Sequence, residues 1–381
     1  MSSGQRPLLL VQVLRALAAT LVLLGHTNSE VNRVAMQSGA GSTLVPHIPT
    51  GFGVDLFFVI SGFIMVMSSQ RLFGTRHGSS TFLMRRFTRL VPLYWIVTLV
   101  YVVVLVAGSH GYHGDLLKAL LTSLSFVPYP TYGVDGSGNV YPLYTLGWTL
   151  NYEMFFYVIF AIFIGLTQAR AVRSIGATLA LLVAVGLLLG AGGSQLTFWT
   201  QPIILEFGFG LAVGTLWLSD FRLSAPTCLL IAVAALCVVV ADPGHLTIKL
   251  AGGSTPNDLR RVLAWGLPAA AILLAVTLLE KSRPFHGKLV GALSFGGDCS
   301  YALYLIHPLV LESLLKLWEH LKLAKTLGFV PLGVAVLVVS YAAAALTHLL
   351  LERPLTRKLQ STTPLRLYGP GAPSAFPTSR R

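Results

Sequence analysis

Charge is scarce in this chain of 381 residues: Asp, Glu, Lys and Arg together make up 11% of it, against about 25% in an ordinary soluble domain. That excludes a water-soluble fold with a solvated polar surface. Cysteine is scarcer still, with Cys228, Cys237 and Cys299 only, too few and too apolar in setting for a disulfide framework or a zinc site. They read as small packing residues. There is no HExxH run to hold a metal, so none is expected. Internal repeats are missing too, as are inverted pairs of Gly/Pro-broken helices, which counts against many secondary transporters. What fills the chain is hydrophobic side chains, 54% of all residues.

Those residues gather into ten apolar stretches long enough for a bilayer core of about 30 Å, near 8–25, 52–69, 90–108, 144–166, 172–191, 199–218, 225–241, 262–280, 291–315 and 328–351. Two are interrupted, the sixth by Pro202 and Glu206 and the eighth by Pro268. A shorter apolar piece at 116–127 is too brief to span and is expected at the interface. The fold class predicted is all-α, a polytopic membrane bundle over residues 1–358, with 359–381 a Pro/Ser/Gly-rich disordered tail. Loops of some length are expected at 27–51 and 109–143. The first segment resembles a signal peptide, but Arg15 interrupts it and no small-x-small cleavage site follows, so it reads as a retained helix.

A net charge of +13 would suit nucleic acid on a soluble protein, but no soluble basic face exists here, and no nucleic acid is expected. Bases instead follow topology. With the N-terminus inside, eighteen Lys and Arg fall on cytoplasmic segments and eight outside, with Arg15 buried. Both termini are thereby placed in the cytoplasm, and the protein is expected to be a multi-pass membrane protein.

An ionisable residue within a span points to function by default. Arg15 and His26 lie eleven residues apart on the first helix, about three turns, so they share one face about 16 Å apart along the axis. Helix direction puts Asp55 near the outer surface, Ser61 near mid-membrane, Glu153 in the outer half and His307 at a similar height. His26, Asp55, Glu153 and His307 thus form one outer stratum. A carboxylate can orient a histidine and leave its other nitrogen to take a proton from a hydroxyl. Either Glu153 or Asp55 can fill that part, although Asp55 can also cap its helix. On the inner side, RRFTRLVPLYW sets Arg86 and Arg89 at i, i+3 with Arg85 beside them. Guanidinium groups clamp phosphates, and Glu352 in LERPL can pair with one of them or face the headgroups.

With Arg15-x10-His26, GVDLFFVISGF at 53–63, RRFTRLVPLYW at 85–95, WTLNYEMFFY at 148–157, SYALYLIHP at 300–308 and LERP at 351–354, the chain resembles the acyltransferase-3 family of integral-membrane O-acyltransferases. Within it, the rhizobial exopolysaccharide acetyltransferase branch is most similar. The resemblance implies a ten-helix enzyme with no permanently bound cofactor. It would take an acyl group, usually acetyl, from cytosolic acyl-CoA and pass it to a hydroxyl of a surface polysaccharide or glycolipid. His26 takes the catalytic position, Arg15 the paired arginine, Arg86 and Arg89 the donor-associated RxxR positions, and Glu153 the acidic one. Tyr301 falls within the ninth segment's motif. The fused extracytoplasmic hydrolase-like domain of some relatives is not expected, although polysaccharide biosynthesis or export proteins can act as partners. The alternatives are acylation of a secondary metabolite such as a macrolide, or a proton-coupled glycolipid flippase, which would give the inner arginines no use.

Overall fold

The computed structural model describes residues 8–37, 48–107, 114–130, 140–189, 195–247, 257–283 and 285–362. Among them the chain is helical almost throughout. Strands are confined to an antiparallel pair of two residues each, β1 (Tyr129–Pro130) and β2 (Val140–Tyr141). The helices are α1 (Leu9–Gln37), α2 (Phe52–Ser69), α3 (Gly78–Ala107), α4 (Leu116–Leu124), α5 (Trp148–Phe163), α6 (Gln168–Leu189), α7 (Gln195–Trp199), α8 (Leu205–Leu218) and α9 (Ala225–Ala241). They continue with α10 (Leu267–Ser282), α11 (Lys288–Asp298), α12 (Ser300–His320), α13 (Ala324–Leu327), α14 (Val330–Thr347) and α15 (Arg353–Thr362).

All ten apolar stretches are helical, but not all are simple spans. Among the described residues, eight helices or joined runs are long and apolar enough to cross a membrane. α11 and α12, bent by 64° at their junction, are long and apolar enough only when taken together. α9 has 17 residues, about 25 Å of helix and the short limit of a span. This is a multi-pass all-α membrane bundle. The interrupted sixth stretch breaks at Pro202 into α7, a 3₁₀ turn and α8; the Tyr152 hydroxyl sutures the break, its single proton shared between the Phe198 carbonyl at 2.6 Å and Gln201 Oε1 at 2.7 Å. The eighth opens as a helical turn (Leu259–Arg261) and a π-helical stretch (Val262–Gly266) before α10.

The loop expected from residue 27 is shorter than predicted. α1 runs on to Gln37, because Thr27, Val31, Val34 and Ala35 keep a buried stripe at helical spacing. Residues 38–47 of that loop, 108–113 and 131–139 of the second and the tail from 363 lie outside the described residues, while 359–362 belong to α15. Within the second loop α4 is capped by Asp115, which accepts from the Lys118 N–H at 2.9 Å. Cys228 and Cys299 are buried, whereas Cys237 faces outward.

Two close approaches set the bundle that frames the site. Gly62 on α2 and Gly210 on α8 bring backbones together where any side chain would strike Phe207 or Val59 carbonyls. Gly297, at the end of α11, lies directly on the Gln12 backbone of α1. At this same end of the bundle the Leu9 and Leu10 N–H groups donate to the Glu280 carboxylate on α10, at 2.6 and 3.1 Å. Those orphan donors of a helix start are satisfied across the bundle rather than by a local cap.

Candidate functional site

A narrow cavity of about 90 Å³ runs between α1, α2, α3, α5 and α12. Its lining brings together Arg15 from α1, Ser61 from α2, Arg86 and Arg89 from α3, Glu153 and Tyr157 from α5, and Ser300, Tyr301 and Tyr304 from α12. Phe57, Phe58, Ile60 and Ile64 supply apolar wall from the intervening α2 positions. Five helices therefore line one partly open space in the bundle, and four of them, α1, α2, α3 and α5, carry charged or hydroxyl side chains to it together with the α12 tyrosines.

Arg15 is 6% exposed, and its Nη1 donates to Gln12 Oε1 at 2.9 Å. Gln12 Nε2 in turn donates to Asp298 Oδ1 at 2.9 Å. Gln12 sits one turn below Arg15, so the guanidinium is held on the side away from His26. Arg89, Asp298, Glu352 and Glu153 are the charged groups around it. Neither Gln12 nor Asp298 figured among the sequence-predicted site residues. The signals were there in the i, i+3 spacing of Gln12 and Arg15 and in a lone acid within SFGGDCS, but only the bend at residue 299 joins them.

Arg86 is equally buried; its Nη2 donates to Ser68 Oγ, and its guanidinium lies 5.6 Å from the Phe82 ring centre and 5.9 Å from that of Tyr157. Its Nε has no hydrogen-bond partner. Arg85, a neighbour in sequence, points elsewhere: it is half-buried and does not line the cavity. The i, i+3 pair and not the adjacent pair shares the cavity face, as helical periodicity requires. Glu153 accepts from the Ser61 and Tyr157 hydroxyls, the first at 3.1 Å. Tyr301 lines the same wall, and its hydroxyl is spent on the Leu90 carbonyl at 2.6 Å. Glu352 is buried in a π-helical turn (His348–Glu352), where it bonds His348 Nδ1 at 2.9 Å; its bonded partner is thus a histidine of its own turn.

Two of the four residues of the predicted outer stratum meet. The His26 and His307 rings lie 5.3 Å apart, centre to centre. His26 is open at the surface, whereas His307 is fully buried. His307 Nδ1 bonds the Leu303 carbonyl at 3.0 Å and its Nε2 has no partner. A carbonyl can only accept, so Nδ1 carries the proton and Nε2 presents a bare lone pair. Tyr304 joins this pair to the cavity, because it lines the cavity and its ring stands 6.2 Å from that of His307.

The carboxylates behave otherwise than expected. Asp55 is not turned to His26: its two oxygens accept from Arg261 Nε and Nη2 at 2.9 and 2.8 Å, with both residues buried. Arg261 also donates to Asn257 Oδ1 at 3.1 Å and the Gly51 carbonyl at 3.3 Å, and lies 5.5 Å from the Trp265 ring centre. A fork of five donors is matched to a planar carboxylate here. The two partners lie 206 residues apart, beyond the reach of local spacing. Glu153 is likewise engaged with Ser61 and Tyr157 rather than with a histidine.

Residues 10–346 match the family described as "Acyltransferase domain". The chain is 32% identical over 307 residues to the exopolysaccharide production protein ExoZ of Rhizobium meliloti (strain 1021), covering 80% of this chain and 89% of that protein. It is 25% identical to the acyltransferase MdmB of Streptomyces mycarofaciens, with 92% of each covered. It is 27% identical over 288 residues to the putative peptidoglycan O-acetyltransferase YrhL of Bacillus subtilis (strain 168), covering 68% of this chain and 44% of that protein. No solved structure matches. A helical membrane bundle with buried arginines on one cavity and a histidine pair beside it, matched to that domain over nearly its whole length, belongs to the acyltransferase-3 family of membrane O-acyltransferases.

Proposed function

We propose that the protein carries an acyl group, acetyl in the first instance, from cytosolic acyl-CoA to a hydroxyl of an exopolysaccharide or glycolipid on the far side of the bacterial inner membrane. The observation that carries this reading is the cavity itself, which has Arg15, Arg86 and Arg89 on its lining and adjoins the His26–His307 pair through Tyr304. Anionic donor inside and hydroxyl acceptor outside suit those two ends.

On this reading the phosphates of the donor dock on Arg86 and Arg89, the first of them preorganised by Ser68 and by the Phe82 and Tyr157 rings. Arg85 stays outside the cavity as an anchoring charge. Arg15 holds the pantetheine arm. It does not stabilise an oxyanion formed beside His26, because the two residues are about 16 Å apart along the helix and the guanidinium is tied inward by Gln12. His26 takes the proton of the acceptor hydroxyl, the oxygen attacks the thioester carbonyl, the C–S bond breaks and CoA leaves as the thiol with that proton. His307 offers its bare Nε2 to the His26 ring and so takes the orienting part first expected of a carboxylate. Glu153, Ser61 and Tyr301 shape the channel between.

The test is mass spectrometry of surface polysaccharides from cells with and without the gene. Loss of an acetyl mass on deletion, restored by the wild-type gene, supports the reading. An identical acylation pattern in both strains contradicts it.

A further inference from the structure

A second cavity, about 250 Å³, opens at the outer end of the bundle between α1, α12, α13 and α14. Its floor is apolar, with Val34, Leu315, Phe329 and Leu332 all buried. Gln37, Glu319 and Trp318 line it as well; the first two are exposed, and the Trp318 indole is fixed by donating to the Gly328 carbonyl at 3.1 Å. Its position is set by helix periodicity. Gln37 stands eleven residues beyond His26 on α1, and Trp318 stands eleven residues beyond His307 on α12. Eleven residues is about three turns, so each lies on the same helix face as its histidine and about 16 Å further out. The two helices therefore carry one continuous seam from the histidine pair to this cavity.

The seam leaves the hydrocarbon before it reaches the cavity. α1 has 29 residues, about 43 Å of helix against a core of about 30 Å. Its last turns carry Asn28, Glu30, Asn32 and Arg33, and Arg33 pairs with Glu30 at 2.8 Å. An occupant of the cavity thus comes from the aqueous side. It must offer an apolar face to an indole and hydroxyl or amide groups to Gln37 and Glu319. A pyranose ring has both, with C–H bonds across its faces and hydroxyls around its edge.

We infer that this cavity is an acceptor subsite, which holds a sugar of the polysaccharide several units away from the one whose hydroxyl lies at His26. The inference rests on the acceptor reading given above. It makes binding energy remote from the chemistry available to select long chains over short ones.

The experiment uses the full chain in membranes with radiolabelled acetyl-CoA and the cell's own exopolysaccharide. The polymer is stripped of acetyl groups by mild alkali, cut, and sized into mono- and disaccharides and into fragments long enough to reach both sites. Wild type is expected to show a KM about tenfold lower for the long fragments than for the short, the scale of one aromatic contact. Trp318→Ala should lose that preference, Trp318→Phe should keep most of it, and Gln37→Ala should weaken it. Equal KM values for both sizes in the wild type, or an undiminished preference in Trp318→Ala, overturns the subsite alone. A KM that follows the lipid composition of the membrane and not fragment length also overturns it, in favour of a lipid. If wild type acetylates neither size, the acceptor reading itself fails and the subsite with it.

Discussion

On the proposed mechanism the chemistry turns on His26 and His307, and their inequality is informative. One ring is open and the other is buried with a bare Nε2, so the open ring is the one an acceptor can reach. His307→Ala is expected to lower kcat by roughly a hundredfold, the lower range for a general acid–base contribution, while leaving the donor KM unchanged; an altered donor KM with normal kcat would remove it from proton transfer. The arginines act differently. Arg86→Ala with Arg89→Ala should raise the donor KM by about ten- to a hundredfold, as for lost hydrogen bonds to charged groups, with the acceptor KM unmoved. Gln12→Leu should mimic a part of that effect, since it cuts the link from Arg15 to Asp298. A Gln12→Leu enzyme with the wild-type donor KM would show that Arg15 needs no such support.

At the scale of elements, the Asp55–Arg261 pair ties the start of α2 to the turn that leads into α10. Removing one partner leaves a buried charge unmatched, a cost of about 3–5 kcal/mol. Asp55→Leu and Arg261→Met should each lower the melting temperature of the detergent-solubilised protein, and the double variant should recover much of the loss; additive losses would contradict a paired role. This pair also shows where sequence reading stops. Helical spacing was enough to place Arg15 beneath His26 and to put Arg86 and Arg89 on one helix face, because those relations are local. It was enough to give all ten apolar stretches as helices. It was not enough to tell that Asp55 belongs to Arg261 and not to a histidine, since equal depth in a membrane leaves azimuth undetermined. Gln12 and Asp298 stayed hidden for the same reason: their meeting depends on the bend between α11 and α12 and on the approach that Gly297 allows.

Across the whole molecule, the cavity makes sense only if its two ends face different compartments. The ten spans expected from the sequence, with their distribution of Lys and Arg, would put both termini on the cytoplasmic side. Single cysteines in place of Gln37 and Lys358, in a chain whose three native cysteines have been replaced, should react with an impermeant maleimide from opposite sides of the membrane. Labelling of both from one side would overturn this topology. The central claim is that a cytosolic acyl group reaches a hydroxyl on the far side with His26 as the base, and sealed inside-out vesicles with de-acetylated polysaccharide enclosed test it most directly. Radiolabelled acetyl-CoA added outside should give labelled polysaccharide in the lumen with the wild-type chain and none with His26→Ala at equal protein level; equal lumenal label from both would contradict the account.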